Sequence, residues 1–253
     1  MTHVTRAGPS YNRSNMKTPY GLNVIEDCIA CPMHKDRLFC NLPEAALAGL
    51  DAISSSATYP RGSILFVEGQ SPRGGFILCN GRAKLFGTSS SGKALIFRIA
   101  EPGEVIGLPS TLSGKPYELT AEALEPIQAN FIRRDDFLSF LRSYGDAALR
   151  VAQMLGEIYY ATCREVRYLG LSSSAAERFA RFILDLKPAK NSEPGKARVV
   201  LALTHEEVAN MIGTSRETVS RLLTGLKNKQ LVDIRGTTLT ILNKKALEQL
   251  AGV

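Results

Sequence analysis

The chain has 253 residues, 44% of them apolar, which is enough for one large or two ordinary domains with real cores. Its net charge of +7 is unevenly placed: from Leu171 onward thirteen Lys and Arg stand against eight Asp and Glu, an excess suited to a polyanionic partner. No apolar run approaches the roughly 20 residues that span a bilayer, and the N-terminus shows no signal-peptide core, so a cytoplasmic protein without membrane contact is expected.

Residues 1–22 are polar and rich in Ser, Asn, Thr and Pro, which predicts a disordered tail. Cys28, Cys31 and Cys40 follow in the spacing Cys-x2-Cys-x8-Cys, with His34 among them. In a reducing compartment such cysteines are free thiols or metal ligands rather than disulfides. From Ala57 to Ile132 the character changes. Short apolar runs at 63–67, 75–79, 94–99 and 127–132 alternate with turns centred on Gly69, Gly81, Gly92 and Gly103. Strands at about ten-residue spacing, with no helical pattern between them, predict a compact antiparallel roll or barrel. Asp135 to Tyr144 reads as a short helix that closes a first domain, residues 23–145.

Residues 146–170 carry Ala147, Val151, Met154, Ile158, Ala161 and Tyr168 at spacings of three, four or seven, with Leu155 and Leu169 widening the stripe. A helix of roughly 25 residues is about 37 Å long, more than one small roll covers. The stripe therefore predicts a helix paired with its copy in a homodimer, with Val151, Met154, Leu155, Ile158 and Ala161 at the interface. Cys163, on the same helix, reads as a packing residue. Ser172-Ser-Ser breaks the pattern as the last domain, residues 171–253, begins. Ala175 to Leu186 reads as a helix and 187–196 as a loop.

Within that domain Thr204 has Glu207 three residues on, a capping box that opens a short helix. Gly213 ends it, as a residue able to adopt positive φ in a tight turn. Ser215 caps a second helix, with Glu217 and Thr218 in its first turn. Val208, Ala209 and Ile212 are placed to face Val219, Leu222 and Leu223. That leaves Arg216, Glu217, Ser220 and Arg221 outward, near the start of a recognition helix that meets base edges, with Thr214 and Ser215 leading into it. Arg is the best bidentate partner of guanine O6 and N7, and Glu accepts from cytosine N4. Ser220 is either a DNA contact or a small packing residue, and Lys227 and Lys229 suit phosphate or solvent. Alternation over 231–242 around Arg235-Gly236 predicts a β-hairpin wing.

Roll, long helix and winged helix, in that order, resemble the Crp/Fnr family of bacterial transcription regulators over roughly residues 24–253. Ser215-Arg-Glu-Thr-Val-Ser-Arg is very similar to that family's recognition helix, and Gly103-Glu-Val-Ile-Gly to the segment closing its effector roll. The resemblance implies an α+β chain: an antiparallel β-roll of the cyclic-nucleotide-binding type, a dimerisation helix and a winged helix-turn-helix. It implies a homodimer that reads inverted-repeat promoter DNA and contacts RNA polymerase, with activation and repression both open. Glu217, Ser220 and Arg221 match the Fnr branch, whose recognition helix reads Glu-x-x-Ser-Arg; Arg216 is shared with the Crp branch. An enzyme on a cupin-like roll would need several His ligands inside it, and His3, His34 and His205 all lie outside 57–132.

A cyclic-nucleotide site in this family places a Glu after the Gly of the closing segment and an Arg about ten residues on. Here Leu108 follows Gly107, and Tyr117 and Glu118 stand where the Arg-Ser pair would fall, with Lys115 the only nearby cation. Cyclic AMP is therefore not expected. Cys28, Cys31 and Cys40 are instead similar to the cluster by which the Fnr branch ligates an iron–sulfur centre, which usually takes four thiolates. The family's fourth Cys, late in the roll, is replaced by Ala129 or Asn130, and Cys79 or His34 can substitute. The resemblance thus implies an oxygen- or redox-sensitive cluster, 4Fe–4S rather than 2Fe–2S, on Cys28, Cys31, Cys40 and Cys79. Zinc on Cys28, Cys31, His34 and Cys40, a thiol redox switch, and a small organic effector with incidental cysteines stay open as alternatives.

Overall fold

The computed structural model describes residues 20–25, 27–171, 174–186 and 198–252. The expected tail, except residues 20–22, and the expected loop at 187–196 lie outside the described residues. A 3-10 turn, His34–Asp36, and helix α1 (Glu44–Ala52) precede the roll. The roll has strands β1 (Ser54–Tyr59), β2 (Ile64–Phe66), β3 (Gly74–Asn80), β4 (Ala83–Thr88), β5 (Ala94–Ala100), β6 (Val105–Ile106), β7 (Thr120–Ala123) and β8 (Ile127–Arg133), with α2 (Leu108–Ser113) after β6. They form two antiparallel sheets, ordered β1-β8-β3-β6 and β2-β7-β4-β5. The four apolar runs fall on β2, β3, β5 and β8, and all four turn glycines have positive φ.

Period-two alternation decides which core each strand residue joins. On β3, Phe76 and Leu78 point into the roll, where they meet Phe66, Leu85, Tyr117 and Ile127. Ile77 points the other way, into a second cluster formed with Phe39, Leu47, Leu50 and Ile132. Helices α3 (Arg134–Ser143) and α4 (Gly145–Leu171) complete that second cluster through Phe137, Phe140, Ala147, Val151 and Met154. Val151 and Met154 are only 5% and 6% exposed within the single chain, and Leu155 packs against the same cluster. Of the residues expected at a dimer interface, these three therefore pack within the chain: burying such side chains stabilises by about 1.5–3 kcal/mol each, and the chain's own core already takes that gain. Further along, α4 leaves the core, and Tyr159, Tyr160 and Val166 are exposed.

The C-terminal domain contains α5 (Ala175–Asp185), β9 (Arg198–Val200), α6 (His205–Ile212), α7 (Arg216–Asn228), β10 (Val232–Arg235), β11 (Thr238–Ile241) and α8 (Lys244–Ala251). The wing is a three-stranded sheet ordered β10-β11-β9, because Arg198-Val-Val adds an antiparallel edge to the expected hairpin. Phe179, Ile183, Val208, Val219, Leu239 and Leu247 make its core. Helix α6 also packs against β5, so this domain rests on the roll. Among the described residues no helix is long and apolar enough to cross a membrane.

Candidate DNA-reading surface and cysteine cavity

The helix-turn-helix is fixed by local chemistry. Thr204 Oγ1 accepts from the Glu207 backbone amide at 3.2 Å, and the Glu207 carboxylate accepts from the Thr204 amide at 2.7 Å, closing the capping box. Gly213 turns the chain at φ +64°, a conformation that an added side chain would strain. Ser215 Oγ accepts from the Thr218 amide at 3.3 Å and starts α7. Val208, Ala209, Ile212 and Val219 are buried between the helices, with Leu222 and Leu223 half-buried beside them.

Arg216, Glu217 and Arg221 face solvent from the first two turns of α7. The Glu217 carboxylate is held below its usual range, chiefly by its own backbone amide, then by the Ser215 hydroxyl, with Arg216 and Arg221 adding attraction. Arg221 donates to Thr218 Oγ1 at 3.2 Å, which aims its guanidinium along the same face. Ser220 behaves differently. It is half-buried, and its hydroxyl is hydrogen-bonded to His205 Nδ1 at 2.9 Å, tying α7 to the start of α6. Thr214 is half-buried in the turn. The role of His205 carries no sequence signal, since its partner lies fifteen residues away.

Cys28, Cys31, Cys40 and Cys79 line one cavity of about 30 Å³, together with His34, Arg37, Asp51 and Asn130. Cys79 comes from β3 and Asn130 from the neighbouring β8, and the N-terminal segment lies across both. Gln128 fastens that segment: its side chain accepts from the Ile25 amide at 2.8 Å and donates to the Ile25 carbonyl at 2.6 Å and to Ser56 Oγ at 3.0 Å. Arg37 fastens the other side, donating to the Cys79 carbonyl at 3.1 Å. Its stem lies so close to Gly103 that a Cβ there would come within 2.7 Å of it.

Burial pushes the Cys79 thiol up to about 12, with Cys40 and Cys31 adding to the rise and Arg37 opposing it. Burial likewise pushes Cys40 up to about 11, against the pull of Arg37. Cys28 is raised by burial first and then by the Asp51 carboxylate. Thiolates crowded in this way need a cation to compensate them. The donor set is soft and suited to iron–sulfur chemistry, and buried Asn130 Oδ1 has no hydrogen-bond partner. Among the described residues no three Cys, His, Asp or Glu side chains converge tightly enough to hold a single metal ion. His34 reaches the cavity, but its Nδ1 is engaged with the Cys31 carbonyl at 2.7 Å. Cys163 is exposed on α4, not packed inside its own chain.

Inside the roll, Tyr117 stacks on Phe66 with ring centroids 4.1 Å apart and donates to the Gly74 carbonyl at 2.6 Å. Leu108 is fully buried.

Two family models match the chain in this same order: a cyclic nucleotide-binding domain over residues 57–144 and a Crp-like helix-turn-helix domain over residues 177–250. Together they take in more than half of the chain. The chain belongs to the Crp/Fnr family of transcription regulators. It is 24% identical, over 215 residues, to a "CRP-like cAMP-activated global transcriptional regulator" of Mycobacterium tuberculosis, which spans 85% of this chain and 96% of that one. It is 26% identical, over 232 residues, to the "Fumarate and nitrate reduction regulatory protein" of Yersinia pestis, which spans 89% and 90%. The structure of FixK2 from Bradyrhizobium japonicum shares the fold with a TM-score of 0.68, at 21% identity over 78% of this chain and 97% of that one. As a Crp/Fnr member with this helix-turn-helix, the protein is a DNA-binding regulator and not an enzyme.

Proposed function

We propose that this regulator is a cytoplasmic homodimer of the Fnr branch, reading an inverted-repeat promoter site under the control of an iron–sulfur cluster on Cys28, Cys31, Cys40 and Cys79. The observation that carries the sensing half is the gathering of four cysteines, three from one short segment and one from β3, around a single cavity. A soft set of four sulfurs suits a multi-iron cluster, in which each corner iron takes its own thiolate. The cluster would supply redox- and oxygen-sensitive chemistry. The chain holds the sulfurs, offsets their charge with Arg37 and fastens the segment through Gln128. The aromatic packing of Tyr117 on Phe66 supports a signal other than cyclic AMP.

Arg216, Glu217 and Arg221 would read base edges while Ser220, held by His205, fixes the pitch of α7 against α6. RNA polymerase is the expected partner at the promoter. The second copy is best placed on the face of α4 opposite the core. Leu149, Ala152, Gly156, Tyr159, Cys163, Val166 and Gly170 recur at alternating spacings of three and four, and all are exposed. That is a heptad seam, with glycines and alanine permitting close approach. Ile158 and Ala161, half-buried, fall outside it.

Purification without oxygen tests the reading. Iron and sulfide near four per chain are expected, with loss of both, and of affinity for palindromic DNA, on air exposure or in Cys31→Ser. Iron-free protein would overturn the cluster. Full iron in Cys79→Ala together with loss in His34→Ala would overturn the fourth ligand alone.

A further inference from the structure

One wall of the thiol cavity is not a cysteine. Asn130 is 5% exposed, and its Oδ1 has no hydrogen-bond partner, an uncommon condition for a buried amide. Its strand neighbours fix its backbone: it stands opposite Ile77 on β3 and Ser56 on β1. Among the described residues the side chain makes its one hydrogen bond to sulfur, Nδ2 donating to Cys28 Sγ at 3.8 Å. Asn130 and Cys79, from the paired strands β8 and β3, line the same cavity.

We propose that Asn130 is a positioning residue of the sulfur site, whose side-chain N–H···S bond holds the thiolate of Cys28 and sets the reduction potential and air sensitivity of the cluster. This rests on the cluster reading above. A donor to a thiolate withdraws charge from it, and does so more effectively when the cluster is reduced and more negative, so each such bond raises the potential. Leucine in its place would fill similar space and donate nothing. Aspartate would add a second carboxylate beside Cys28, which already faces Asp51.

The test compares wild type with Asn130→Leu, both purified without oxygen, by iron and sulfide content, midpoint potential, decay of visible absorbance in air and melting temperature. Asn130→Leu is expected to keep its iron and its melting temperature, to show a lower midpoint potential, and to lose its colour several-fold faster. Wild-type potential and decay in the iron-loaded variant would overturn the role of Asn130 and leave the cluster standing. Wild-type protein without iron would overturn both readings. If Asn130→Leu loads no iron, Asn130→Ser decides, because it keeps a short donor: an iron-loaded protein with a lowered potential supports the role, and failure to load overturns it.

Discussion

Val166 is 64% exposed in the single chain and lies in the proposed seam on the outer face of α4. In a parallel pair of helices, each layer sets a residue against its own counterpart. Val166→Asp would therefore remove two buried valines, worth about 1.5–3 kcal/mol each, and oppose two carboxylates. At about 6 Å and an effective dielectric constant of about 20 their repulsion is roughly 3 kcal/mol. The sum is about 6–9 kcal/mol, at least four orders of magnitude in the dimer dissociation constant. Equilibrium sedimentation should find a monomer where the wild type is a dimer, with the melting temperature of the roll unchanged. Met154→Asp is the counterpart. It buries an unpaired carboxylate in the cluster that holds Phe137 and Phe140, so it should destabilise the fold itself. A Val166→Asp protein that stays dimeric, beside a folded Met154→Asp monomer, would return the partner to the face that hydrophobic periodicity selects.

Arg221→Ala should weaken binding to the specific site by roughly 1–3 kcal/mol and relax preference at one guanine. Equal loss on scrambled DNA would make Arg221 a phosphate contact. Gln128→Leu removes three hydrogen bonds that fasten the cysteine segment, each worth about 0.5–1.5 kcal/mol. Hydrogen exchange should show amides around Ile25 and Cys28 opening more often while the winged helix keeps its protection, and unchanged exchange there would refute the clasp.

What could be read from sequence was what neighbouring residues decide among themselves. The capping box of Thr204 and Glu207, the turn at Gly213 and the cap at Ser215 each depend on a few consecutive residues, and each stands where it was expected. The long helix shows the limit. Periodicity correctly finds its apolar stripe, but not the body that covers it, and Val151 and Met154 went to the chain's own core. The proposed outer seam gives little periodic signal, because Gly156, Cys163 and Gly170 are weakly hydrophobic, although small size is what a close helix pair uses. Asn130 was visible only as a missing cysteine. Its orphaned oxygen and its place beside Cys28 and Cys79 depend on the register of β8 against β3, which pairs residues about fifty positions apart. The bond from His205 to Ser220 is of the same kind, since it exists only once α6 crosses α7.

The position of the cysteines bears on how a change there could reach DNA. Cys28 and Cys40 pack against the cluster shared by α1, α3 and the first turns of α4. Phe39, next to Cys40, is fully buried and lies 6.0 Å from the ring of Phe137; Phe137 lies 6.5 Å from Phe140, and Phe140 4.9 Å from Tyr144. This aromatic ladder runs from the sulfur site to the residue immediately before α4. A buried Phe cannot withdraw without leaving a cavity that costs about 3–5 kcal/mol, so order in the cysteine segment and the seat of α4 are coupled through Phe39. In the proposed dimer the same helix would offer its opposite face to the second copy. With a core on one side and a partner on the other, α4 would be a two-sided element, and a shift imposed at its first turn by loss of the segment would change the register available to the seam.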